Sequence, residues 1–286
     1  MHALFARRAA IVATFATFSI GCKDQAKESA KLASANVDTL AELVDKDVGE
    51  IQRGLPEGAK KLEHLWADGN DPTKDLPSVR QALLRTQREV PDLNVAKSTF
   101  FALTDDKGIG IRNNLEQDAM AGQDLAKLFP GITKATSGEY VETTGSFGGP
   151  PLPSGPDKDW IAAAPVKNEQ GKVAALFVTG WSYRRFASHL QQVLKEDFQS
   201  DLRKNSDTGK MPVFYVAVFD AAGVYSERTT PKVDEKALED AKLVDKTKNG
   251  PYQGTVTITE REFGYAAKRT PKLAPDTGIV VLRSEL

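Results

Sequence analysis

The chain has 286 residues, of which 40% are hydrophobic and 27% charged, and its 38 basic and 39 acidic side chains leave a formal charge of −1. That is the composition of a folded, well-solvated protein and not of a disordered one, and with no clustered basic excess it excludes a nucleic-acid footprint. A single cysteine, Cys22, excludes an intramolecular disulfide, so stability must come from a buried core.

Arg7 and Arg8 precede an apolar run from Ala9 to Ile20, and Ser19-Ile20-Gly21-Cys22 has the small-residue pattern of a lipobox. The run is shorter than the roughly 20 residues that cross a bilayer core. Residues 1–21 therefore read as a lipoprotein signal peptide cleaved before Cys22, whose lipid would hold the body at a membrane surface. Removing Arg7 and Arg8 with no acid takes the formal charge from −1 to −3. Lys23, where an Asp would signal inner-membrane retention, points to the outer membrane or cell surface.

Residues 22–36 are rich in Lys, Ala, Ser, Asp and Glu and read as a lipid-anchored tether. A helical lead-in follows over 37–98. Ala33, Val37, Leu40, Val44, Ile51 and Leu55 form the stripe of an amphipathic helix expected to stop at Gly54-Leu55-Pro56. Asp47 in the seam favours packing against the protein's own body over a coiled-coil dimer. Further helices are expected over 59–67 and 76–89. Phe100 to Thr104, the turn Asp105 to Gly108, and Ile109 to Ile111 then read as strand, turn, strand, with Asp105 fixing the turn.

A short helix is expected from Met120 to Leu128, a strand from Glu139 to Thr144, a loop from Gly145 to Pro156, and a hairpin from Trp160 to Trp181. A connector helix spans Tyr183 to Lys204. The grammar then restarts with a strand from Val213 to Asp220, a turn through Gly223 in which Asp220 plays the part of Asp105, and Val224 to Ser226. A helix from Asp234 to Lys246 and strands at 255–259, 262–268 and 278–282 complete it. Strand, Asp turn, strand, helix and three strands thus occur twice. The modules are 99–204, with its connector helix, and 205–286.

Phe101 to Gly108, Gly122-Gln123-Asp124-Leu125, Trp160 to Val166 and Gly171 to Gly180, in that order, resemble the Cache family of extracytoplasmic sensor domains in its double-Cache form. The resemblance implies an α+β fold: a long N-terminal helix followed by two PAS-like modules with antiparallel sheets and a connecting helix. It also implies a small-molecule ligand held between a sheet and the loops and helices that cover it. The Arg-x-Trp-Tyr pattern of amino-acid-binding members is replaced here by Lys158-Asp159-Trp160-Ile161, without arginine's bidentate fork.

Trp160 could stack on a ligand or cap the core, Tyr140 could turn its hydroxyl to a pocket, and Arg112 and Arg184 could neutralise an anion or lie solvated. His64 and His189 have no partner at metal-ligand spacing, and Gly145-Ser146-Phe147-Gly148-Gly149 lacks the strand and helix of a nucleophile elbow, so neither metal, cofactor nor catalysis is expected. Two functions follow. One is a lipid-anchored, small-ligand-binding sensor or solute-capture protein without an output domain. The alternative is a ligand-free interaction or structural component of the cell envelope, with an envelope protein as partner.

Overall fold

A computed structural model describes residues 5–148, 156–204 and 211–285, with side chains described from residue 24 onward except at residue 68. Helix α1 spans Phe5–Leu62. The chain divides into two compact units. The first module comprises Leu43–Phe186 with Lys272–Pro275, and the second Met1–Glu42, Ala187–Pro271 and Asp276–Leu286. The lipobox side chains, Cys22 among them, and residues 149–155 of the expected Gly/Pro loop lie outside the described residues.

In the first module, α2 (Leu76–Glu89) and α3 (Pro91–Val95) lead into β1 (Phe100–Asp105), β2 (Gly110–Asn113), α4 (Leu125–Leu128), β3 (Val141–Gly145), β4 (Asp159–Lys167) and β5 (Val173–Ser182). The strands form one antiparallel sheet in the order β2-β1-β5-β4-β3. Because side chains alternate across a strand, Phe100, Ala102, Ile161, Ala163, Leu176 and Val178 share one face, under α4 and the 3-10 segment Pro130–Ser137. Phe101, Leu103, Trp160, Ala162 and Phe177 share the other. There Gly58 of α1 approaches Phe177 so closely that an added Cβ would overlap its ring.

Helix α1 does not stop at Gly54-Leu55-Pro56. Pro56 removes one main-chain donor, but Leu55, Ala59 and Leu62 are buried on either side of it, and Gly54 admits Leu93 against the helix. Burial of that stripe outweighs the breaker, and the helix ends at Leu62, followed by a 3-10 turn over Glu63–Gly69. The helix expected over 120–128 is shorter, Leu125–Leu128, capped by Asp124, whose carboxylate accepts from Lys127 N–H at 2.9 Å. As expected, Asp105 fixes its turn by accepting from Lys107 and Ile109 N–H at 2.9 and 2.8 Å.

The second module follows α5 (Tyr183–Lys204) with β6 (Val213–Asp220), β7 (Gly223–Ser226), α6 (Lys232–Asp240), α7 (Leu243–Lys246), β8 (Tyr252–Ile258), β9 (Arg261–Arg269) and β10 (Gly278–Ser284). The order β7-β6-β10-β9-β8, again antiparallel, repeats that of the first sheet strand for strand. One face, including Ala217, Phe219, Phe263, Tyr265, Val280 and Leu282, packs under Leu238 of α6 and Leu243 of α7. The single helix expected over 234–246 is broken by Lys242, in the left-handed region at φ 51°.

Against the opposite face lies the segment expected to be a tether. Residues 24–36 continue α1 and bury Ala26, Ser29, Ala30 and Ala33, while Asp38 pairs with Lys268 at 2.7 Å and Asn36 accepts from Arg283 at 3.0 Å. Alanine is the best helix former, and its small side chain lets main chains meet. The meeting point is Gly264 on β9, where any Cβ would strike the Ala30 nitrogen and the Ala26 carbonyl oxygen.

Gly264→Ala is therefore expected to destabilise the protein by about 1–3 kcal/mol, because backbone cannot yield as a side chain does. Urea unfolding of the variant would check this; an unchanged midpoint would remove the helix from that face.

Candidate functional site

The covered face of a PAS-like sheet is where the sequence leads one to look. In the first module that face is lined by Phe100, Ala102, Ile161, Ala163, Leu176 and Val178 and roofed by Met120, Leu125, Phe129 and Ile132. Phe147, half-buried, sets its ring edge-on against Phe100 and Phe129 with centroids 5.7 and 4.8 Å apart. Charged groups gather at the rim where β4 begins beside the N-terminus of α5.

Asp159 is the group at that rim whose ionisation is most disturbed. Its Oδ2 accepts the Phe147 N–H at 3.0 Å, which binds the loop after β3 to the start of β4. Burial pushes its pKa up to about 6; the Phe147 hydrogen bond pulls it down, and the charge of Asp157 raises it further. Asp157 accepts from the N–H groups of Lys158 at 2.9 Å and Arg184 at 3.3 Å. Its second contact places a carboxylate at the positive end of α5. Arg184, 3% exposed, donates from Nε to the Pro156 carbonyl at 3.3 Å.

The four residues singled out from sequence are not brought together. Only Arg184 reaches this rim, and it is buried there instead of solvated. Trp160 is buried on the opposite face, in a stack with Trp181 (4.4 Å, 23°) that continues to Phe186 (4.7 Å, 19°). Tyr140 shares that opposite face through the pairing of Glu142 with Ala162, and its hydroxyl donates to Glu142 at 2.8 Å. Burial, then the Glu142 charge, raises its pKa strongly. Arg112 ties down the loop after β2, pairing with Asp118 at 3.0 Å and donating to the Leu115 carbonyl at 2.9 Å. Asp159 was overlooked, although a carboxylate opening a strand that is otherwise apolar is a readable signal of a rim.

Neither a family model nor a curated protein sequence matches the chain. Solved structures do. The chain is similar to the extracellular domain described as that of a histidine kinase, vpHK1S-Z8, with TM-score 0.59 and 8% identity over 92% of this chain and 93% of that one. It is similar to a domain of a sensory box/GGDEF family protein from Vibrio parahaemolyticus, with TM-score 0.58 and 8% identity over 91% and 97%. The periplasmic sensory domain of the Campylobacter jejuni chemoreceptor Tlp1 aligns with TM-score 0.53 and 13% identity over 91% and 95%. Of an extracellular ligand binding receptor from Desulfohalobium retbaense, the chain spans 39% at TM-score 0.48. The fold is thus a two-module, PAS-like α+β fold shared with these sensory domains. Among the described residues no helix is long and apolar enough to cross a membrane.

The raised pKa of Asp159 carries a definite sign. The folded state holds the proton more tightly than the unfolded chain, so ionisation destabilises the fold progressively as pH rises from about 4 to about 6, with the full penalty present above that. Asp159→Asn keeps an acceptor for Phe147 and removes the charge. It is expected to match the parent near pH 4 and to exceed it by roughly 1–2 kcal/mol at pH 7.5. Denaturant unfolding at the two pH values checks this, and a pH-independent difference would contradict it.

Proposed function

We propose that this protein is a lipid-anchored extracytoplasmic sensor or solute-capture protein whose first module binds a small cationic ligand at the Asp157–Asp159 rim. The observation that carries the reading is the pair of sheets of one strand order with a long N-terminal helix, a fold shared with sensory domains over nine-tenths of the chain. Asp159 supplies the chemistry. A carboxylate that burial leaves half-protonated near pH 6 gains most when an ammonium group arrives, because binding relieves the penalty of its charge. The apolar side of such a ligand would replace Phe147 against Phe100 and Phe129.

A second reading, a ligand-free interaction module of the envelope, is favoured by the same aromatic contact, since Phe147 already fills that position with the protein's own ring. Fold alone does not decide between them. The lipid is proposed on Cys22, placing the body at the outer membrane or cell surface.

Thermal unfolding with a set of primary amines, diamines and amino acids separates the two. A ligand at a hundredfold excess over its Kd stabilises the native state by about 2.7 kcal/mol, a rise of several degrees. The rise should vanish in Asp159→Asn; no response to any amine would leave the interaction module. For the anchor, Cys22→Ala should abolish incorporation of labelled palmitate and move the protein from the membrane to the soluble fraction. Retention of label would refute lipidation at this residue.

A further inference from the structure

An open sheet ends in two edge strands, and each presents main-chain N–H and C=O groups to any further strand unless something blocks them. Along β2 the chain itself closes the edge: Gly110 donates its N–H to the Gln123 carbonyl at 2.9 Å and accepts from the Gly122 N–H at 2.8 Å. On β3 stands Glu142, and Gly131 of the 3-10 segment lies so close that an added Cβ would overlap Thr143. Strand β7 has only four residues, and the Glu235 carboxylate takes the N–H of Ser226 at 3.1 Å.

Strand β8 has none of these devices. Its seven residues, Tyr252–Ile258, include no charge and no proline, and they pair with β9 without a break in register. Tyr252, Thr255, Val256, Thr257 and Ile258 all favour extended chain. The turn into β9 is the two residues Thr259 and Glu260, at φ 47° and 67°, which makes Ile258 and Arg261 a hydrogen-bonded pair. Alternation then turns the N–H and C=O of Gln253, Thr255 and Thr257 to the open edge. The side chains of these three are exposed, while Val256 and Ile258 pack on the covered face. Among the described residues no other strand or main-chain hydrogen bond meets this edge. The two ends of β8 differ in charge, with Lys246 and Lys248 before it and Glu260 and Glu262 after it. Counting Asp245 and Arg261 beside them, the first end remains net positive and the second net negative.

We propose that the β8 edge is an interface at which a second copy of this chain adds its own β8, antiparallel about a two-fold axis at Thr255, so that the two second-module sheets run on into one. The pattern of β8 selects that partner. Antiparallel pairing about Thr255 sets Gln253 against the partner's Thr257 and Thr255 against its own copy, so the opposed side chains are hydroxyls and an amide with no like charges between them. It also brings the basic end of each strand to the acidic end of the other, whereas parallel pairing would set like against like. A two-fold axis satisfies both ends at once. A uniformly acidic or basic strand from another protein would be favoured at one end of β8 and repelled at the other. The interface belongs to the second module and does not rest on the ligand proposed for the first.

Pairing through a single strand lies at the small end of interfaces, below roughly 1,200 Å², so the dimer is weak and is sought between about 5 and about 500 µM. Sedimentation velocity of the full chain in detergent over that range is expected to show a monomer–dimer equilibrium. Thr255→Lys sets two ammonium groups side by side on the axis, and Thr255→Pro removes an outward N–H without breaking a bond to β9; each should raise the dissociation constant at least about tenfold. Glu260→Lys and Lys248→Glu should each weaken the dimer by roughly threefold, and the two together should restore it. Thr255, Lys248 and Glu260 are exposed, so unfolding midpoints should stay near the parent's, and the charge exchange decides the matter should the Thr255 variants fail to fold. In a Cys22→Ala background, a short bismaleimide added to a cell extract should join Thr255→Cys to a second copy of itself and should not join Gln170→Cys, on an exposed turn of the first module. A chain that stays monomeric throughout, a dimer indifferent to Thr255→Lys and to the charge exchange, as one formed through α1 would be, or crosslinking of Thr255→Cys only to a different protein would overturn the proposal.

Discussion

The central strands of each sheet are buried on both faces, and the rest of each module follows from that constraint. The central strands β5 and β10 contain almost no residue that reaches solvent. A sheet of that kind needs two coverings of different character. One is a helix laid flat against it, which requires small residues where main chains meet, as at Gly264 beneath Ala26 and Ala30 and at Gly58 against Phe177. The other is assembled from short helices and loops, which leave edges at which charged groups can enter. The polar rims of both modules lie on this second side, because an unbroken helix offers no such edge.

Much of this was legible in the sequence because strands and turns speak locally. Asp105 and Asp220 could be assigned to turns from spacing alone, and both bond the N–H groups that close them. The repeated order of elements anticipated two sheets of one topology. What failed was information about the far side of a contact. Gly54 and Pro56 are helix breakers on the page, and only Leu93 and Phe177 packing around that turn explains why α1 continues. Residues 24–36 looked like a soluble tether because their partner, Gly264, lies more than two hundred residues away.

The candidate site shows the same division. Alternation along β4 makes it certain that Trp160 and Ile161 face opposite ways, but nothing local says which face receives the covering loops. Trp160 and Tyr140 were chosen for chemistry suited to a ligand, and both stand on the face away from the α4 side. Their neighbours Asp159 and Val141 stand on it. A shift of one residue in a strand exchanges core for rim. Weaker signals stood on the covered side: Asp159, a carboxylate opening the apolar strand β4, and Asp234, inside the apolar stripe of α6 that buries Leu238.

Those two carboxylates occur in modules of identical strand order, on the corresponding covered side of each sheet, and each has its pKa raised chiefly by burial. A fold held by cores like these gains nothing from an ionised acid at such positions; an amide or an apolar side chain would be more stable. In the first module the acid is partly satisfied by the Phe147 N–H and faces another acid, so its surroundings favour added positive charge. In the second, burial raises the pKa of Asp234 and the charge of Arg261 pulls it the other way. One strand order thus carries two polar edges, and the charge that acts on the buried acid differs between them, Asp157 in one module and Arg261 in the other.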